Sequence, residues 1–284
     1  LIASIIKKSV KEYGEGTTCL LSSEHMMSTV RKTIPTGSPD LDRILAKDAD
    51  GKYGMPVGRI IGVSGKEASG KTTRLIMMMK HVQEMGGVAS LIETEYAFDP
   101  GYAEKLGLNL NELLISQPKY LEEALDLITL NSIMFKEARE EYETKTGKVW
   151  DVPMFIGLDS IAGIPPKAEY EAASYENEQA LGLHARRLSK FFRKVSGLIS
   201  KEQICLVCTN QLNTDTGVRY GNKDTEIGGK ALKFHASLRL DLRRTGFIEG
   251  SVKGGEPIGI ISTAKTVKNK VMVPFKSVEI PIVF

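Results

Sequence analysis

From residue 58 onward, short apolar runs alternate with longer amphipathic stretches. The runs at 59–64, 88–93, 112–116, 153–159 and 204–209 have the length and apolar content of buried strands. Between them a helical period predicts helices over 71–85, 100–107, 120–145 and 178–202. Such alternation predicts an α/β fold with a mostly parallel central sheet and helices on both faces. After residue 236 the helical period disappears, and strands at 236–243, 258–267 and 278–284 are expected to extend the sheet as antiparallel members. Residues 1–13 read as an amphipathic helix with Lys7, Lys8 and Lys11 along its polar side. A polar stretch with Gly14, Gly16 and Ser22-Ser23 follows, then Pro35-Thr36-Gly37-Ser38. The expected organisation is a small helical appendage with its linker over 1–34 and a core over 35–284.

Composition narrows the class without deciding it. The 284 residues are 42% hydrophobic and 26% charged, as in ordinary globular proteins, and the net charge of +3 is too small to imply a nucleic-acid partner by itself. No apolar run approaches a membrane span, and the opening Leu1-Ile2-Ala3-Ser4-Ile5-Ile6 is too short for a signal sequence. The missing initiator Met suggests that the chain begins inside a longer one. Cys19, Cys205 and Cys208 are few and odd in number, which points to a reducing, cytoplasmic setting. Cys205 and Cys208 lie three apart on a predicted strand, so their sulfurs should face opposite ways rather than form a redox pair. His25, His81, His184 and His235 show no metal-ligand spacing. The Met77-Met78-Met79 run reads as core filler and the acidic Glu137 to Glu143 stretch as the solvated face of a long helix.

The candidate chemistry begins at Gly65-Lys66-Glu67-Ala68-Ser69-Gly70-Lys71-Thr72, which fits the phosphate-cradling pattern G-x-x-x-x-G-K-[ST] between a predicted strand and a predicted helix. Backbone N–H groups and a helix N-terminus then converge on an anion. Lys71 would reach the terminal phosphates of ATP, the Thr72 hydroxyl would hold Mg2+, and Thr73 completes the set of cofactor-binding positions. Asp159 ends an apolar strand and would join Thr72 at the metal. Glu93 and Glu95 end the strand before it, and Glu95 is placed to orient a hydrolytic water. No N-K-x-D run supports a guanine nucleotide.

Further segments carry a specific resemblance. Glu93 to Gly107, Asp159 to Glu169, Thr209-Asn210-Gln211, Gly228 to Asp241, Thr266 to Val271 and Pro274-Phe275-Lys276 are similar, in order, to the RecA family of DNA strand-exchange recombinases. The resemblance implies a P-loop NTPase core of RecA type and a DNA-stimulated ATPase. Such a protein would form a helical homo-oligomer on single-stranded DNA and pair it with homologous double-stranded DNA, with mediator and single-strand-binding proteins as possible partners and no membrane involved. It further implies that Glu95 activates water, that Asp99, Tyr102 and Phe284 contact the adenine, and that Gln211 senses the γ-phosphate. Lys268 and Lys270 would enter the ATP site of a neighbouring subunit, with Lys233 and Phe234 in the subunit contact. Two alternatives share this core: a ring-forming helicase and a regulatory paralogue that does not hydrolyse ATP.

For DNA, Arg186, Lys190, Arg193 and Lys194 recur at helical spacing, with Arg187 beside them. Arg186 and Arg193 match phosphate-contacting positions of the family, and segments 165–180 and 212–230 match its two DNA-binding loops. Tyr170 and Tyr175 are placed to stack on bases, and Arg219 and Lys223 to supply charge in the second loop. The first loop is unusually acidic, with Glu169, Glu171, Glu176 and Glu178, and Asn213 and Asp215 stand where basic residues are usual. The 136–150 stretch looks longer than in bacterial members, and the family's C-terminal domain has no counterpart before the chain ends at Phe284. These departures suit a bacteriophage-type or otherwise divergent recombinase.

Overall fold

The structure, a computed structural model, describes residues 1–14, 17–20, 30–173, 182–214, 224–226, 228–250 and 255–284. The first elements are α1 (Ile2–Tyr13), β1 (Thr33–Ile34), α2 (Pro39–Leu45), β2 (Ala46–Lys47), β3 (Tyr53–Pro56), β4 (Arg59–Gly65) and α3 (Lys71–Glu84). Then come β5 (Val88–Glu93), α4 (Pro100–Lys105), β6 (Leu113–Ser116), α5 (Leu121–Thr146), β7 (Met154–Asp159), α6 (Lys167–Tyr170) and α7 (Leu183–Lys201). The chain continues through β8 (Ile204–Thr214), β9 (Asp224–Glu226), α8 (Ala231–His235), β10 (Leu238–Glu249), β11 (Pro257–Asn269) and β12 (Ser277–Val283).

The main sheet runs β12-β11-β10-β4-β8-β7-β5-β6, with β9 turning back on β8. From β10 to β6 every pairing is parallel, and β10, β11 and β12 pair antiparallel. The mostly parallel sheet with an antiparallel end is the architecture that the hydrophobic pattern predicts. β4 over Ile60–Val63 and β8 over Ile204–Cys208 are apolar because both their faces are covered. One core holds Ile61, Val63, Cys205 and Val207 against Leu75, Met78 and Met79 of α3. The other holds Ile60, Leu206 and Cys208 against Ile128 of α5 and Leu188 and Phe192 of α7. Met78 and Met79 are therefore core filler, and the two strand cysteines lie in different cores, as their spacing requires.

Several elements escaped the sequence pattern. The three-stranded sheet β1-β3-β2 and the short helix α2 fill a stretch without a predicted element, because pieces of two to seven residues are too short to show a period. A buried polar network fixes this stretch to α3. Asp42 accepts from the Thr36 N–H (2.9 Å) and hydroxyl (2.6 Å), and the Arg74 guanidinium donates to the Thr36 carbonyl (3.3 Å). β8 runs five residues past its predicted end, to Thr214, and β10 and β11 are longer than expected. In the region 136–150, Trp150 lies against Phe135 and Tyr142, while Arg139 pairs with buried Glu202 at 2.6 Å. α1 buries none of its residues. Among the described residues no helix is long and apolar enough to cross a membrane.

Burial pushes both strand thiols up, Cys208 to about 12, so neither forms a thiolate near neutral pH. At pH 8 the native protein is expected to expose one cysteine, Cys19, to a thiol reagent, with Cys205 and Cys208 reacting only after denaturation. Rapid titration of more than one thiol in the native state would contradict the two-core assignment.

Candidate functional site

β4, β5, β7 and β8 end at the same edge of the sheet. Gly65 lies level with Gln211, and Glu93 with Asp159, so the ladder brings the P-loop and the candidate acids together. Ligands of open parallel sheets bind outside such carboxyl ends. Gly70 joins the loop to α3 with φ 87°. The left-handed conformation favours glycine, and a Cβ there, 2.3 Å from Ile282 Cδ1, would also push the end of that side chain aside. The Ser69 hydroxyl donates to the Lys66 carbonyl at 2.8 Å, and the Lys71 ammonium donates to the carbonyls of Gly65 (3.0 Å) and Lys66 (2.8 Å). Burial pulls the Lys71 pKa down, while Asp159, Glu95 and Glu67 nearby oppose that shift.

Asp159 is the hub on the other side. Its Oδ2 accepts from the Thr72 hydroxyl at 2.7 Å and its Oδ1 from the Thr209 hydroxyl at 2.5 Å. Burial raises its pKa, and the two hydroxyl donors oppose the shift. A hydroxyl and a carboxylate held together form the hard oxygen set that suits Mg2+, so the residues present fit the ion. The two acids at the end of β5 do different work. Glu93 is buried, and its Oε1 accepts from the N–H groups of Glu95 (3.0 Å) and Ala97 (3.1 Å) while Oε2 accepts from Gln117 (3.0 Å). Glu93 therefore folds the turn that presents Glu95. Glu95 is exposed toward the site, and the Ser160 hydroxyl donates to its Oε1 at 2.5 Å. The Gln211 amide donates to Glu67 at 3.0 Å, which ties the P-loop to β8 and to the segment beyond it.

Asp99 caps α4 by accepting from the Tyr102 N–H at 3.1 Å, and the Tyr102 hydroxyl lies 3.2 Å from the Thr73 hydroxyl. Phe284 follows β12 and is 70% exposed. The sequence-predicted nucleotide positions thus gather around one loop.

Lys268 and Lys270 lie elsewhere. Lys268 is level with Arg239, and Arg239 with Gly62 at the middle of β4, while the Lys270 N–H donates to the Ser237 carbonyl and the Ser237 N–H to the Ile60 carbonyl nearer its start, so both lysines lie away from the end of β4 that carries the P-loop. A bulge between Arg239 and Leu240 turns Lys268 to the α7–α8 side, where its ammonium caps α8 through the carbonyls of Lys233 (2.7 Å) and Phe234 (3.0 Å). β11 stops at Asn269, so Lys268 lies on the strand and Lys270 just beyond it. Both still face His235, whose pKa falls through burial first and then through Arg193, Lys268 and Lys270. Phe234 projects beside them, 70% exposed.

On α7, Arg186, Lys190, Arg193 and Lys194 are exposed, whereas Arg187 pairs with Glu122 at 2.9 Å. Tyr170 is half-exposed, its ring 5.9 Å from that of Tyr120. Tyr175, Glu176, Glu178, Asp215, Arg219 and Lys223 lie outside the described residues.

A sequence profile of the RecA N-terminal domain matches residues 1–284. Protein RecA of Geobacter sulfurreducens is 39% identical over 274 residues, covering 96% of this chain and 73% of its own length. Protein RecA of Cytophaga hutchinsonii is 40% identical over 279 residues, covering 98% and 71% respectively. Protein RecA 2 of Myxococcus xanthus is 38% identical over 274 residues. The chain belongs to the RecA family. It is therefore a recombinase-family protein whose members are generally ATP- and Mg2+-dependent.

In this RecA-family chain, sequence reasoning missed Thr209 and Ser160 as partners of Asp159 and Glu95, because a hydroxyl at a strand end carries no motif of its own. It also left the work of Glu93 unassigned. Glu93→Ala removes the acceptor of two part-buried N–H groups and of the Gln117 amide, which should lower stability by about 1–2 kcal/mol and misplace Glu95. Denaturant unfolding and ATP turnover should fall together, and a variant with parental stability would show that the turn holds without this carboxylate.

Proposed function

We propose that this RecA-family chain is a DNA-dependent ATPase that polymerises on single-stranded DNA and exchanges strands with a homologous duplex. The observation that carries this reading is the separation, along and across one sheet, of the two lysines from the P-loop and its acids. The P-loop, Asp159 and Glu95 lie where the parallel strands end, whereas Lys268 lies level with Gly62 at the middle of β4, two strands away, with its ammonium held at α8, and Lys270 lies nearer the start of β4. A strand rises about 3.3 Å per residue, so these lysines cannot fold back onto their own loop. They complete a triphosphate site on the next copy, and a chain of such contacts is a filament.

In this arrangement Lys71 neutralises the terminal phosphates and the loop N–H groups bind their oxygens. Bound at Thr72 and Asp159, Mg2+ would supply charge neutralisation for the phosphates. Glu95, oriented by Ser160, aligns the attacking water and takes its proton. Gln211 reads the occupancy of the site through Glu67 and passes it to the segment after Thr214. The exposed cations of α7 bind phosphates without regard to sequence, and Tyr170 offers a stacking surface. The acids of the first loop are already engaged in part, since Lys167 pairs with Glu171 at 3.7 Å.

Complementation tests the shared site. Glu95→Gln and the double variant Lys268→Ala/Lys270→Ala should each lose ATP turnover while binding ATP. An equimolar mixture should recover about a quarter of parental turnover, the share of random junctions that pair an intact Glu95 with intact lysines. No recovery in filaments shown by electron microscopy to be mixed would overturn the shared site, and closed rings would favour a helicase.

Salt titration tests the DNA face. Arg186→Ala or Arg193→Ala should flatten the dependence of log K on log salt by about 0.7 for a single strand. Tyr170→Ala should keep the slope and cost about 1–3 kcal/mol. Parental slopes in both arginine variants would reduce the stripe to a solvated face.

A further inference from the structure

A hydroxyl from outside every nucleotide-binding motif reaches the P-loop from beneath. Ser262, on β11, is buried, and its Oγ donates to the carbonyl of Ser69 at 2.9 Å. Ser69 is also buried, and its own hydroxyl is spent on the Lys66 carbonyl at 2.8 Å. A second attachment lies one residue on, where Ile282 of β12 closes against Gly70. The antiparallel end of the sheet thus grips the loop at two consecutive residues.

This grip bears directly on phosphate binding. A P-loop works only if its N–H groups point at the ligand, and nothing in a glycine-containing loop enforces that by itself. In a planar trans peptide the C=O and N–H point opposite ways. Holding the Ser69 carbonyl against β11 therefore aims the Gly70 N–H away from β11. Without the hydroxyl, a buried carbonyl loses its partner, and rotation of that peptide becomes the cheapest way to find another.

We propose that Ser262 is a positioning residue for nucleotide binding: it locks the Ser69–Gly70 peptide in the orientation that presents the loop to phosphate. The proposal rests on the reading of this loop as an ATP site. Because Ser262 has no contact with the reacting groups, its loss should appear in affinity rather than in the chemical step.

The test uses the full chain with Mg2+ and a fluorescent, non-hydrolysable ATP analogue. Ser262→Ala should bind about tenfold more weakly, with an unchanged kcat at saturating ATP. Backbone amide exchange over 65–72 should accelerate in the free protein while β12 keeps its protection. Ser262→Thr should restore both readouts, and Ser262→Val, which matches threonine in shape without the hydroxyl, should not. The threonine–valine pair also decides the matter if the alanine variant folds poorly, since both residues suit a strand. Equal affinity of the threonine and valine variants would overturn the proposal, as would parental affinity in Ser262→Ala. A parental chain that fails to bind the analogue would instead sink the ATP-site reading itself.

Discussion

A carboxylate buried at the end of a strand must be compensated, and the way Asp159 is compensated organises this molecule. Its two oxygens are taken by hydroxyls from different elements, Thr72 in the first turn of α3 and Thr209 in β8. α3 is thereby fixed against the sheet at its N-terminus, where the P-loop ends. The same peptide segment reaches β5, because the Thr94 N–H donates to the Asp159 carbonyl at 2.8 Å and the Ser160 N–H to the Thr94 hydroxyl at 2.8 Å. The P-loop, Asp159 and Glu95 are thus set by one short run of bonds. Removing Thr209 leaves an oxygen of the buried Asp159 carboxylate without its partner, which is costly to compensate.

The sequence was most informative where a period or a spacing repeats. The strands β4, β5, β7 and β8 are apolar on both faces and announce a covered parallel sheet. The P-loop has a fixed spacing, and the alternation of strand side chains separates Cys205 from Cys208. It was least informative where the work falls to single side chains. Nothing in the spelling of Glu93-Thr94-Glu95 says that the first acid folds the turn and the second faces the site. That division depends on which side chain the pleat turns inward toward Gln117. The bulge that redirects Lys268 is equally silent, because one extra residue in a strand looks like any other residue.

Charge is distributed with a similar economy. The acids of the α5 and α6 region are partly consumed by Arg187 and Lys167, while the cations of α7 stay exposed. The molecule is nearly neutral overall, yet it offers one helix face that is distinctly basic. That separation explains why net charge alone is a poor guide to the partners of this chain.

Lys268 has a further consequence. In the single chain its ammonium is already satisfied by the last turn of α8, and burial together with Lys270 lowers its pKa. A lysine committed in this way cannot serve a second molecule without first abandoning the helix end that it stabilises. Recruitment by a neighbour is therefore an exchange of partners and not a simple gain. The solitary protein keeps this cation sheathed, and under the proposed shared site only a junction with enough negative charge on the other side draws it out.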